Sequence, residues 1–140
     1  MPRRPAPVLL AALALAPAVS ATAACGAGAP SDQAAVRAKV VELRDATRDK
    51  RYSRLCSRVF APALVAEVRR VGLPCEAAME RALGAVRDPS LVIGEIRVER
   101  DRATAQVRSS AAGQEPSRDV VELVRTPAGW RVTSLAAASQ

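Results

Sequence analysis

The chain has 140 residues, 21 of them basic and 14 acidic, with no histidine and only Tyr52, Phe60 and Trp130 as aromatics. Without histidine there is no serine–histidine nucleophile pair, no histidine–aspartate acid–base dyad and no histidine metal ligand. The net charge of +7 is interspersed with acids, as in Glu95-Ile96-Arg97-Val98-Glu99-Arg100-Asp101-Arg102. No basic block or row of stacking aromatics appears, so no nucleic-acid partner is expected.

The N-terminus reads as an export signal. Arg3 and Arg4 form a positive start, and Val8 to Ala16 is an apolar run. That run is well short of the roughly 20 residues a membrane-spanning helix needs and fits a cleavable signal peptide. Two cleavage readings compete. Signal peptidase I accepts the triplet Ala21-Thr22-Ala23, which yields a secreted soluble protein. The lipoprotein signal peptidase cuts between Ala24 and Cys25, because Thr22-Ala23-Ala24-Cys25 resembles a bacterial lipobox, although Thr22 stands where leucine is usual. Gly26 to Ser31 is a stretch of small residues suited to a flexible tether. This favours residues 1–24 as signal and residues 25–31 as a tether lipidated at Cys25. The expected location is then the outer face of the cytoplasmic membrane, with a diacylglyceryl-cysteine as anchor. Each buried methylene of such an anchor contributes about 0.8 kcal/mol, and two or more chains hold stably.

Removing residues 1–24 leaves 19 basic and 14 acidic residues, a net charge of +5. The odd cysteine count resolves if Cys25 is acylated and Cys56 pairs with Cys75 in an oxidising compartment. The alternative is two buried free thiols. Two isolated cysteines do not complete a zinc shell, and no Gly-rich phosphate loop or EF-hand is present, so neither metal nor cofactor is expected.

Pro30-Ser31-Asp32 is a helix start, with Ser31 or Asp32 as N-cap. Val36, Val40, Leu43 and Thr47 recur at helical spacing to about residue 48. Asp49 to Tyr52 interrupts, and Ser53 is positioned to cap a short helix carrying Leu55, Cys56 and Val59. Pro62 suits the first turn of a second main helix with the stripe Leu64, Val65, Val68 and Val71, stopped by Gly72. Pro74 opens a third, with Cys75, Met79, Ala82, Leu83 and Val86 on one face. From Leu91 the period becomes two. Val92, Gly94, Ile96 and Val98 alternate with Ile93, Glu95, Arg97 and Glu99, and Arg100-Asp101 is a two-residue hairpin turn. Ala103, Ala105 and Val107 alternate with polar residues, and Ser109 to Ser117 reads as a mobile loop. Val120 to Arg125 is apolar on both faces, as a central strand is. Thr126 to Gly129 turns the chain into the last strand, Trp130 to Leu135.

The expectation is an α+β domain over residues 32–136, with 137–140 frayed: three N-terminal helices packed on a curved four-stranded antiparallel sheet. This order resembles the nuclear transport factor 2-like superfamily with its cystatin-like roll, especially its small bacterial lipoproteins. The resemblance rests on Asp49-Lys50-Arg51-Tyr52-Ser53-Arg54-Leu55-Cys56 between helices, on the hairpin Val98 to Ala105, and on the closing hairpin Val121 to Val132 with its Gly129-Trp130-Arg131-Val132 segment.

Enzymes of that superfamily use acid–base residues inside the cone, and none of those positions carries over to this sequence. A ketosteroid-isomerase-like site needs a buried aspartate and an oxyanion donor, and Tyr52 is the only tyrosine. No catalytic residue is therefore assigned. The candidate cone-lining residues are Tyr52, Ala103, Ala105 and Trp130, each with a structural alternative. Trp130 fills a core, Tyr52 bridges two helices, and the two alanines let a helix approach. The leading functional expectation is a non-catalytic domain binding a small apolar ligand or an envelope protein. The alternatives are an accessory subunit of an envelope transport system and a cyclase- or isomerase-like enzyme.

Overall fold

The computed structural model describes residues 30–137. The signal segment, its cleavage site and Cys25 lie outside them. Ser31 is the N-cap of helix α1 (Asp32–Arg48), its hydroxyl accepting from the Ala34 N–H at 3.2 Å. The helix buries Val36, Val40, Leu43 and Ala46, one step off the expected stripe, and Thr47 instead borders a cavity. It ends in a Schellman turn in which Arg51 N–H donates to Ala46 O and Lys50 N–H to Thr47 O. Lys50 takes the left-handed position usually given to glycine, with φ 55°.

A short helix α2 (Tyr52–Arg54) leads into a π-helical turn, Leu55–Val59. The N-cap of α2 is Arg51, with no capping side chain, so Ser53 does not cap it. The wider turn closes with Phe60 N–H donating to Leu55 O at 2.8 Å. It sends the chain onto the sheet, where Phe60 bridges to Val132 and Ala61 N–H donates to Val132 O. That crossing covers part of an edge strand. Helices α3 (Pro62–Arg69) and α4 (Cys75–Leu83) follow, and the disulfide Cys56–Cys75 joins the π turn to the first turn of α4, with Cα atoms 6.0 Å apart. Val71 lies beyond α3 and is 73% exposed, so it drops out of the expected apolar stripe.

Four strands form one antiparallel meander in the order β1-β2-β3-β4: β1 (Ser90–Glu99), β2 (Arg102–Ser110), β3 (Ser117–Thr126) and β4 (Gly129–Ala137). The expected central strand, now within β3, is indeed interior. The expected loop from Ser109 to Ser117 is shorter, because Ser109, Ser110 and Ser117 belong to the strands. Strict alternation in β1 also fails. A bulge between Ile93 and Ile96 places two residues where one would pair. Leu91 and Ile93 therefore share the inner face with Ile96 and Val98, and Val92 is left 62% exposed on the outer one. Gly94 sits in this bulge, where a Cβ would meet Gln106 O at 3.3 Å. A second irregularity after Glu122 brings both Val132 and Leu135 of β4 to the inner face.

Helix α1 crosses that inner face. Its start is tied to the hairpin end of the sheet by Gln33 Nε2 donating to Ile96 O at 3.0 Å and by Asp32 pairing with Arg125 at 2.5 Å. The core lies between α1, the π turn and the sheet: Val36, Val40, Leu55, Val59, Ala103, Ala105, Val121, Leu123 and Val132 are buried. Among the described residues no helix is long and apolar enough to cross a membrane.

Candidate functional site

The inner face of the sheet changes character along its length. At the hairpin end the side chains are Ala103, Leu123, Trp130 and Val132, all buried against α1. Next come Ala105, Val121 and Leu135, then Val107 beside Asp119, and finally Ser109 beside Ser117. Directly paired residues point to the same face, so this register alone places two serines and an aspartate on the inner face at the far end of the sheet.

Above that end a cavity of about 460 Å³ opens to solvent. Its floor is Leu43, Leu55 and Phe60; its outer wall is Leu64 and Val68 of α3 with Met79 and Leu83 of α4. Leu91 and Leu135 close it from the sheet. The rim is polar, formed by Arg44 and Thr47, the serines of the strand ends, and Gln114 with Glu115 of the β2–β3 loop. That loop is held by Ala112 N–H donating to Arg87 O at 2.9 Å.

The helices over this end show why space remains. Helix α3 has no fully buried residue and α4 buries only Cys75. Their apolar stripes pack against the core's margin and are half-buried, because beneath them lies the cavity and not a layer of side chains. Two links keep α4 in place: the disulfide at its start, and Lys50 Nζ donating to Gly84 O at 2.7 Å just past its end. Apolar walls with a few convergent polar groups are the usual build of a small-molecule site, and such sites occupy roughly 300–1,000 Å³.

None of the four expected cone-lining residues borders this cavity. Ala103 and Ala105 are buried under α1, where their small side chains let the helix approach the sheet. Trp130 is buried at the closed end, with the Arg125 guanidinium over its ring at 4.6 Å. Tyr52 packs against the core margin. Its hydroxyl and the indole N–H of Trp130 have no hydrogen-bond partner of ordinary geometry among the described residues. The residues that matter at the open end were missed because Ser109 and Ser117 read as loop. The signal was present: Val107 to Ser109 and Ser117-Asp119-Val121-Leu123 both keep period two.

The ionic groups outside the cavity have a structural role. Arg125 hydrogen-bonds Asp32 and holds its carboxyl below the usual carboxylate range. Burial pushes Glu42 up, but bonds from Lys39 at 2.6 Å and Arg54 at 2.8 Å more than reverse that, and its pKa is lowered. Arg48 lowers Asp49 in the same way.

No protein-family profile and no curated protein matches the sequence. Solved structures do. The chain is similar to the Kfla4162 protein of Kribbella flavida, with 27% identity and a TM-score of 0.52 over 78% of this chain and 92% of that one. It is similar to a nuclear transport factor 2-like protein of unknown function from Silicibacter pomeroyi, with 22% identity and a TM-score of 0.52 over 73% and 90% of the two chains. A third, also nuclear transport factor 2-like and of unknown function, comes from Shewanella baltica, with 13% identity and a TM-score of 0.52 over 72% and 87%. The protein therefore has the nuclear transport factor 2-like fold, an α+β roll of helices on a curved antiparallel sheet.

Proposed function

We propose that this domain binds a small apolar ligand in the open end of its roll, without acting on it chemically, while exported and held to the membrane through Cys25. The observation that carries the reading is the cavity of about 460 Å³ under α3 and α4, walled by leucine, valine and methionine side chains and rimmed by hydroxyls. Filling it with a ligand would bury apolar surface worth about 25 cal/mol per Å². Binding without chemistry accords with a chain that has no histidine and whose one tyrosine lies off the cavity wall. Export accords with the disulfide, which needs an oxidising compartment, and with the signal-like segment ahead of Cys25.

An apolar fluorescent reporter such as N-phenylnaphthylamine tests the binding half. The protein is expected to enhance its emission saturably, and Met79→Trp, which fills the cavity, to abolish the effect. Emission that is unchanged by the protein, or enhancement that survives Met79→Trp undiminished, would contradict the reading. Globomycin tests the anchor: a precursor retaining residues 1–24 should accumulate, and normal processing in its presence would remove Cys25 as a lipidation site.

A further inference from the structure

We infer that the ligand of this cavity bears a hydrogen-bond-donating head, a hydroxyl or an ammonium group, on its apolar body. This rests on the binding reading above and adds the chemistry of one end of the ligand. The argument is a count of protons. At the cavity rim the hydroxyls of Ser109 and Ser117 converge on the carboxylate of Asp119, which is not itself a lining residue. Ser109 Oγ donates to Asp119 Oδ2, Ser117 Oγ donates to the same oxygen at 2.8 Å, and the two hydroxyl oxygens lie 2.8 Å apart. A carboxylate only accepts, and each serine carries one hydroxyl proton. Three mutual contacts therefore share two protons, and one contact is left with lone pair facing lone pair. No basic side chain relieves this, because Asp119 takes part in none of the ion pairs found among the described residues.

The missing proton has to come from outside the triangle. The cavity leads to it: Ser109 and Ser117 line the wall, with Leu91 and Leu135 beside them. A ligand seated with its apolar part against Leu64, Met79 and Leu83 would place its head at the two serine hydroxyls, which are bonded to Asp119. A hydroxyl or ammonium head supplies the proton. A carboxylate or phosphate head would add an oxygen with no proton, and a second negative charge near Asp119 and Glu115. The one basic side chain on the wall, Arg44, has its charge partly offset by Asp45, to whose Oδ1 its Nε donates at 2.9 Å. The molecule thus discriminates by what it lacks, as a site with unpaired acceptors rejects a head that cannot donate.

The experiment is competition against the apolar reporter on the full chain, with decylamine, decanol and decanoate as probes of equal chain length and different heads. Decylamine and decanol should displace the reporter at concentrations about tenfold or more below decanoate, the worth of one charge-assisted hydrogen bond. Asp119→Asn brings an amide with two donors to the same place, and the ranking should fall to parity or reverse. Ser117→Ala, at an exposed position, removes the proton shortage but keeps the charge. The preference for decanol should then fall while that for decylamine persists. Decanoate binding as tightly as the other two, or a ranking untouched by Asp119→Asn, would overturn the inference. Failure of the native protein to bind the reporter at all would instead remove the cavity reading beneath it.

Discussion

The two ends of the roll use the same strands and the same long helix, and they are finished differently. At the hairpin end the inner face carries Ala103, Leu123, Trp130 and Val132, and α1 lies directly on them. Arg125 closes that end from outside, stacked on Trp130 and paired with Asp32 and Asp101. At the other end the inner face carries Leu91, Leu135, two serines and an aspartate, and α3 and α4 span the gap without filling it. The difference shows where this small domain places its packing energy. One end holds the fold together, and the other keeps a cavity open with two fixed points, the Cys56–Cys75 bridge and the Lys50–Gly84 contact.

Removing the bridge should give the largest effect. Replacing both Cys56 and Cys75 by serine is expected to cost about 2–5 kcal/mol in urea unfolding, the usual loss for a native disulfide in a small domain. Reporter binding should fall with it, since the bridge pins the start of α4. Full stability without the bridge would mean that the cavity wall needs no clamp.

A pair of leucines sets the two ends against each other. Leu123 is 2% exposed, and Leu123→Ala should cost about 2–5 kcal/mol, the transfer term plus a new cavity. Leu83 is half-buried beside space that already exists, so Leu83→Ala should cost less than about 1.5 kcal/mol, a partial transfer term with little added cavity. Equal losses by chemical denaturation would break the comparison.

Acid gives the smallest effect. Asp32, Glu42 and Asp49 have native pKa values below their ordinary ones, for the reasons given above. Their contribution is thus complete above the unfolded carboxylate pKa and is lost as pH falls through the lowered native values. Melting temperature should drop on acidification below the ordinary carboxylate range. The drop should shrink in high salt, because the Asp32 and Asp49 pairs are solvent-accessible. A melting temperature that rises on acidification would contradict the pairing of these three carboxylates.

Much of the fold was legible in the chain. Ser31 or Asp32 as cap, Pro62 and Pro74 at helix starts and the two-residue turn at Arg100-Asp101 follow from local chemistry and are found, with Ser31 as the cap; the pairing of Cys56 with Cys75 follows from the cysteine count and is found too. The candidate site was less legible, because it depends on which face each strand residue takes, and that is set by register over long distances. The bulge at Gly94-Glu95 reverses the facing of Leu91 to Ile93 relative to simple alternation. A glycine inside a strand is a known sign of such a bulge, but not of its direction. The small residues Ala103 and Ala105 left two readings open, room for a ligand or the close approach of a helix. Their missing volume is taken up by the close approach of α1. The space lies instead where half-buried helices meet serines, and the burial of a helix cannot be counted before its partner surface is known.

The central claim is that the open end admits an apolar molecule. Met79 is one of two methionines in the chain and lies on the cavity wall, so methyl-labelled methionine puts an NMR probe at the site. Titration with decylamine should shift the Met79 methyl resonance saturably and leave the indole signal of Trp130, at the closed end, in place. A Met79 resonance that does not move, or one that moves only together with Trp130, would contradict the account.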